Sequence, residues 1–506
     1  MPIHRPLPKV GLLALTLCSP MVLGASPLAA APPAKSAKPN SNSAPESEPA
    51  PEGADKIFPY SWEQRELGNG LRVVVIPMQS EGLVSYRTVV RTGSRDEYEK
   101  GVTGFAHFFE HMMFRGTEKY PAEKYNELIT RMGASSNAYT STDMTVYESD
   151  ISKEDLELVV ELEADRFMNL SYELSAFETE AGAVYGEYRK NASSPFFSLY
   201  ETVRSTAFSR HTYAHTTMGF EADIADMPNQ YDYSRKFFER YYRPENCVVV
   251  VTGDVEPEPT FALIERYYAE WKPGYVAPKI KPESRQRKAR TAEIEYEGKT
   301  NPLVWVAYKG GAFDPSDRVW VASMVLSELA FGETSAIYQE LLLDQQKVES
   351  IQAGAATNRD PGLFSIIAAV KDEQDIDGVL RRVEAAVVEF REQPVEQAKL
   401  DAVKSNMRYS YLLGLDTPTS VAGQVASFIG TTGDLAHVET LYQNLEAVTP
   451  EDVRTAAQRW LTDERRTTVI LRQAKSKDEG PAATASKPNP KQSKPKSKSA
   501  GPGGAR

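Results

Sequence analysis

The same pattern occurs twice in this chain, once in each half. Residues 229–251 read as an amphipathic helix ending in Arg240-Tyr241-Tyr242, followed by the apolar run Val248 to Val251. Residues 448–470 repeat it in register, through Arg459-Trp460-Leu461 to Thr467–Ile470. An in-register recurrence over so long a stretch marks an internal duplication, with two similar domains in tandem. It constrains the fold more than any other feature, because an architecture that suits one half must also suit the other. Length agrees, since 506 residues exceed one ordinary domain. The Pro/Lys/Arg-rich run from Pro273 to Arg290 is the joint.

The two halves differ in chemistry. Gly104 to Phe114 reads GFAHFFEHMMF. Wound as an α-helix, it places His107 and His111 at i and i+4, so both imidazoles leave one face, and Glu110 shares that face. The neighbours are Phe, Met and Ala, so the helix reads as buried, and a polar stripe on a buried helix needs a reason. Two imidazoles and a carboxylate are the makings of a zinc site, in which the histidines bind and the glutamate handles the protons of the metal-bound water. The order H-x-x-E-H is that of the inverted zincins. Carried forward by the offset of the duplication, this helix falls near Leu326-Ser327-Glu328 and meets no histidine, so the second domain reads as metal-free.

A catalytic zinc takes three protein ligands and keeps one position open. Twelve Asp/Glu between 148 and 187 could supply the third, and spacing alone does not choose among them. Glu180 and Glu187 lie seven apart in a helix expected from Ala176 to Asn191, so they face the same way. His211 and His215 form a second i, i+4 pair. Their Ser/Arg/Thr/Tyr surroundings are loop-like and offer no carboxylate at ligand spacing before Glu221, so they read as structural.

Around the motif, Leu67 to Pro77 reads as a turn and a strand with Leu71, Val73 and Val75 alternating inward. Val84 to Arg91 is a second strand, Tyr125 to Met132 a short amphipathic helix, and Lys153 to Phe167 another. Asn137 to Glu148 has the Thr/Tyr/Val alternation of one half-exposed strand. An exposed edge there could accept an extended peptide by main-chain hydrogen bonds, though an ordinary strand fits the composition equally well.

With 41% hydrophobic and 25% charged residues, the chain has a soluble globular profile. Residues 57–473 carry 45 basic and 64 acidic side chains, a net of −19, which excludes nucleic acid and anionic membrane as natural partners. His4, Arg5 and Lys9 precede an apolar run from Val10 to Ala25 and small residues through Ala31, the pattern of a signal peptide over 1–31. The expected destination is the periplasm of a Gram-negative-type bacterium, or the extracellular space, with no membrane span in the mature chain. Processing removes Cys18, so Cys247 remains alone as a core thiol. Neither an intramolecular disulfide nor a cysteine-rich zinc site is then possible. Residues 32–56 and the Lys/Pro/Ser/Gly-rich 474–506 cannot bury a core and read as a tether and a basic tail.

The run V-x-T-G-S-R-D-E from Val90, followed by G-x-T-G-F-A-H-F-F-E-H-M-M-F-R-G-T, resembles the pitrilysin/insulin-degrading family of zinc peptidases. It is most similar to the branch that contains the mitochondrial processing peptidase. The resemblance implies an α+β fold: two homologous tandem domains, each a mainly antiparallel sheet packed with helices, facing each other across a substrate chamber. It implies a catalytic domain over 57–275, a linker over 276–300 and a metal-free domain over 301–473. It also implies one Zn²⁺ per chain held by His107, His111 and the distant Glu187, with Glu110 as general base and Glu180 in support. The segment N-A-x-T-S-x-D-x-T matches the family's substrate-binding strand at Asn137, Ala138, Tyr139 and Thr140.

The activity so implied is endoproteolysis of peptides or unfolded segments. The chain departs from many relatives at two positions, where a substrate-gripping Arg and Tyr align with Ala336 and Glu349. A heterodimer with a second family subunit that lacks the zinc motif would supply them; a homodimer is the alternative. Two other readings stand beside peptidase: a non-catalytic binding or assembly subunit of the same fold, and a purely structural zinc site with a fourth protein ligand.

Overall fold

A computed structural model describes residues 56–474. The expected signal peptide, tether and tail lie outside the described residues, apart from 56 and 474. The duplication is present strand for strand. The first half forms a six-stranded sheet from β1 (Glu63–Glu66), β2 (Arg72–Pro77), β3 (Leu83–Val90), β4 (Ser135–Thr140), β5 (Thr145–Ser152) and β6 (Cys247–Gly253), in the order β1-β2-β6-β3-β5-β4. The second half forms a five-stranded sheet from β7 (Arg290–Tyr296), β8 (Leu303–Lys309), β9 (Val348–Ala355), β10 (Leu363–Val370) and β11 (Arg466–Gln473), in the order β7-β11-β8-β10-β9. Apart from the extra β1 the orders are identical, and in each sheet one parallel pair (β2 with β6, β7 with β11) sits among antiparallel ones. The helices Tyr231–Tyr241 and Pro450–Trp460 repeat each other in register, first residue to last. This is the expected two-domain α+β architecture.

The first half carries five α-helices between β3 and residue 207, of which the first and fourth hold the candidate metal-binding and catalytic residues. They are α1 (Phe105–Met112), α2 (Ala122–Met132), α3 (Leu156–Asn169), α4 (Leu174–Ala192) and α5 (Pro195–Ala207). Val73, Val75, Val249 and Val251 face them, in a core with Phe105, Phe108, Phe109 and Phe177. The expected inward-outward alternation in β2 is not what occurs. Val74 and Ile76 are fully buried too, because the opposite face of the sheet is also covered. What covers it comes from the other half: the helix Pro418–Thr432 packs on β3 and β6. Reciprocally, α5 lays Leu199, Val203 and Ala207 on Trp305, Ala307, Val469 and Leu471 of the second sheet. Each half therefore closes the other's sheet with one of its own helices, and the two share their cores.

Two further sequence expectations need correction. Asn137 to Glu148 is not one strand. It is the end of β4, a turn at Ser141–Met144 and the start of β5. The turn is made by Ser141, whose hydroxyl oxygen accepts the N–H groups of Asp143 (3.3 Å) and Met144 (3.2 Å), the local bonding that lets Ser compete with strand pairing. The linker is also shorter than 276–300, because β7 begins at Arg290 and pairs with β11. It is anchored at Gln286, whose side-chain amide donates to the Arg466 carbonyl at 2.7 Å, and at Glu283. Glu283 accepts backbone N–H bonds from Ser209 (3.0 Å), Arg210 (2.8 Å) and His211 (3.0 Å). Burial would raise the Glu283 pKa, but these donors and the Lys309 ammonium outweigh it and hold the carboxylate down at about 2. No helix among the described residues is long and apolar enough to cross a membrane.

Candidate metal centre

Helix α1, which carries the candidate ligands, starts where a loop must turn sharply into a buried position. Gly104 takes φ +93°, and a Cβ there would stand 2.6 Å from the Met218 carbonyl oxygen, so only glycine fits. The helix has no side-chain cap of its own kind. Instead the buried Glu97 carboxylate accepts the N–H groups of Gly104 (2.8 Å) and Ala106 (2.7 Å), satisfying donors that the first turn leaves orphaned. Burial outweighs those bonds and pushes the Glu97 pKa up to about 8. Phe105, Phe108, Phe109 and Met112 fill the core, which leaves His107, Glu110 and His111 on the remaining face.

Helix α4 runs alongside, with Phe108 against Phe177 at 5.1 Å between ring centroids. Its buried residues Phe177, Ala181, Val184 and Tyr188 recur at helical spacing, and two turns of the same helix carry Glu180 and Glu187 towards α1. The ligand atoms of His107, His111 and Glu187 lie within 4.8 Å of one another. Glu187 Oε2 is 3.3 Å from His107 Nε2 and 3.4 Å from His111 Nε2. The other ring nitrogens are taken: His107 Nδ1 lies 3.2 Å from Glu110 Oε2, and His111 Nδ1 3.0 Å from Glu180 Oε1. Arg115, from the turn that ends α1, pairs with the far oxygen of Glu180.

These contacts set the electrostatics. Burial would lower the His107 pKa, but the Glu110 and Glu187 carboxylates outweigh it and push it up to about 10. His111 is raised in the same way by Glu180 and Glu187. Burial would raise Glu187, yet the two imidazoles hold it well below the usual carboxylate range, and Glu180 is lowered by His111 and Arg115. Three carboxylates around two imidazoles are an environment built for a cation. Two nitrogens and one oxygen converging, each ring fixed by a carboxylate on its other nitrogen, fit zinc in an open three-ligand site.

The edge strand β4 passes over α1. Alternation turns Ala138 and Thr140 inward and leaves Asn137 exposed and Tyr139 half-buried, so the four expected substrate residues split between two faces. The Thr140 hydroxyl donates to Glu110 Oε2 at 2.7 Å. Neither that bond, the Glu97 cap nor the Arg115–Glu180 pair is visible in the sequence, because each joins segments whose approach is set by tertiary packing.

The rival histidine pair does not converge. His211 Nε2 meets Asp360 at 3.0 Å and its Nδ1 accepts the Tyr213 N–H, while the buried His215 Nδ1 bonds the Thr216 carbonyl at 2.8 Å. Burial pushes His215 down to about 4. Among the described residues, His107, His111 and Glu187 form the only such group of three metal-ligating side chains. Ala336 and Glu349 are both exposed. Cys247 is buried at the start of β6, and burial pushes its thiol pKa up.

Comparison with known proteins bears on the family and the fold. The sequence profile described as "Insulinase (Peptidase family M16)" matches residues 72–221, and that described as "Peptidase M16 inactive domain" matches 230–407. The zinc protease PqqE of Helicobacter pylori is 29% identical over 418 residues, covering 81% of this chain and 92% of the relative. The mitochondrial-processing peptidase subunit beta of Lentinula edodes is 23% identical over 410 residues, covering 78% of this chain and 87% of the relative. A crystal structure of a protease from Helicobacter pylori superposes with a TM-score of 0.77 at 28% identity, covering 82% of this chain and 100% of the other. With both profiles lying end to end along a duplicated fold that such relatives share, the chain belongs to the insulinase family of peptidases, family M16.

Proposed function

We propose that this protein is a zinc-dependent endopeptidase acting on peptides or unfolded protein segments. The observation that carries the reading is the convergence of His107 Nε2, His111 Nε2 and Glu187 Oε2 while both Nδ1 atoms are engaged by carboxylates. His107, His111 and Glu187 would hold one zinc per chain, and the bound ion would supply the Lewis acidity that polarises a scissile carbonyl and acidifies water. Glu110 takes the proton of the attacking water and passes it to the leaving amine. Glu180, itself anchored by Arg115, holds the His111 ring in the orientation that presents Nε2. The edge of β4, from Asn137 to Thr140, pairs with an extended substrate through its main chain.

The test is zinc content together with cleavage of a quenched peptide. Wild type and Glu110→Gln should each hold one zinc, and only wild type should cut. A Glu110→Gln protein that cleaves at the wild-type rate sinks the assignment.

A second reading has one observation in its favour. Ala336 and Glu349 stand where many relatives are implied to carry the substrate-gripping Arg and Tyr. On that basis the working enzyme is a heterodimer with a metal-free family subunit that supplies the pair, with a homodimer as the alternative. If zinc-loaded protein cleaves nothing alone or with such a partner, the chain is a binding or assembly subunit. Export to a periplasmic or extracellular compartment, proposed from the charged-apolar-small pattern of residues 1–31, sets where the substrates are met.

A further inference from the structure

The metal-free half contributes no ligand to the zinc site, yet it reaches to within one turn of it. Thr140, which donates to Glu110, is the last residue of β4, and the turn Ser141–Met144 follows directly. That turn is held from two sides. On one, the first half supplies the N–H groups of Arg95 to the Thr142 carbonyl (2.8 Å) and of Ser94 to the Ser141 carbonyl (3.4 Å). A Cβ on Gly93 would stand 2.4 Å from the Ser141 oxygen, so the approach is as close as backbone allows.

On the other side the grip comes from the second half. Asp143 is 2% exposed. Its Oδ2 accepts the Asn358 side-chain amide at 2.9 Å and the Arg359 N–H at 3.2 Å, both from the β9–β10 connection, while its Oδ1 accepts the Tyr213 hydroxyl at 2.9 Å. Asp360 docks the same connection, bonding Arg95 Nε at 2.5 Å and His211 Nε2 at 3.0 Å. Next door, Met144 lies over Gly430 of the helix Pro418–Thr432, so tightly that a Cβ there would overlap its sulfur. These bonds lie in a partly buried interface around the buried Asp143, where each is stronger than in water and leaving a partner unpaired is costly.

We propose that the second half is a positioning element for the general base: Asn358 and Arg359 clamp Asp143, the clamped turn fixes Thr140, and Thr140 fixes the carboxylate of Glu110. His107 Nδ1 and the Thr140 hydroxyl both contact Oε2 of Glu110, so the two together set how the carboxylate is turned. With the hydroxyl gone, one of the two restraints on rotation about its last bond is lost. Displacement of a reacting group by about 1 Å costs on the order of a hundredfold in rate, so a turn held this firmly has a catalytic consequence. Thr140, Asp143 and Asn358 are positioning residues here. The inference rests on the reading of Glu110 as base.

The experiment is a double-mutant cycle on the full zinc-loaded chain, with Thr140→Val and Asn358→Ala. Each single variant is expected to keep its zinc and to lose kcat by a larger factor than any change in KM, about tenfold or more for Thr140→Val and less for Asn358→Ala. Once the hydroxyl is gone, removing Asn358 should cost little further. Losses that multiply, or a kcat untouched by either change, overturn the proposal, since a merely structural contact would not discriminate in this way. Asp143→Asn is the stronger lesion, but it can fail to fold, which is why the cycle uses the half-buried Asn358. Hydrogen exchange over residues 139–145 reads the clamp without catalysis. It should quicken in Asn358→Ala, and unchanged exchange counts against the clamp even if wild type proves to have no peptidase activity.

Discussion

Glu110 and Glu180 engage the two Nδ1 atoms of the histidine pair, and so decide which nitrogen each ring can offer to a metal. Removing that control at His111 has a defined consequence. Glu180→Gln keeps the size of the side chain but loses the charge that fixes the ring and pairs with Arg115. Zinc affinity, read by competition with a chromogenic chelator, should weaken by about 10- to 100-fold. Unchanged affinity would assign Glu180 to packing alone. The histidine pair and Glu110 are legible in the sequence because helical spacing is local. Glu180 and Glu187 are half legible: two turns of one helix put them on one face, but nothing in the spacing says which helix they meet. The residues around Asp143 are not legible, since Asn358 belongs to the other half of the chain and its partners are fixed only when the halves dock.

Two glycines of the helices that carry the site show opposite reasons for being where they are. Gly104 opens α1 with φ +93° and no room for a Cβ, so Gly104→Ala should destabilise the protein by about 2 kcal/mol or more, from the left-handed penalty plus the collision with Met218. Gly182 sits inside α4 with open space around it, so Gly182→Ala should stabilise by about 0.5–1 kcal/mol. Denaturant unfolding of the pair checks the signs. Equal small effects would mean that the opening of α1 relaxes. At this scale the sequence places α1, α2, α3 and α4 well, because an apolar stripe is a sufficient signal, helped at α2 by the terminating Gly133. It runs β4 and β5 together, because the turn between them is made by Ser and Asp side chains rather than by Gly or Pro.

The internal repeat predicts two like domains, but it cannot say which sheet each helix will cover. A hydrophobic stripe states that a helix needs a partner surface and leaves the surface unnamed. In the structure α5 and the helix Pro418–Thr432 cross over, so each half lacks a cover that only the other can supply. A chain cut at residue 289 should therefore behave unlike a string of independent domains. Fragment 56–289 alone would expose Val74, Ile76, Val89, Val248 and Val250 on one sheet face, together with Leu199 and Val203 of α5, an apolar surface too large for a soluble monomer. It should aggregate or fail to hold zinc, even though His107, His111 and Glu187 are all on it. Co-expressed with 290–474, it should co-purify as a one-to-one complex and regain the metal. Size-exclusion chromatography with zinc analysis distinguishes the cases: a monomeric 56–289 that unfolds cooperatively and holds zinc would show that the crossed helices are dispensable. Interlocked halves also explain why a half without candidate ligands stays intact beside the proposed zinc site, because the sheet beneath α1 cannot close without it.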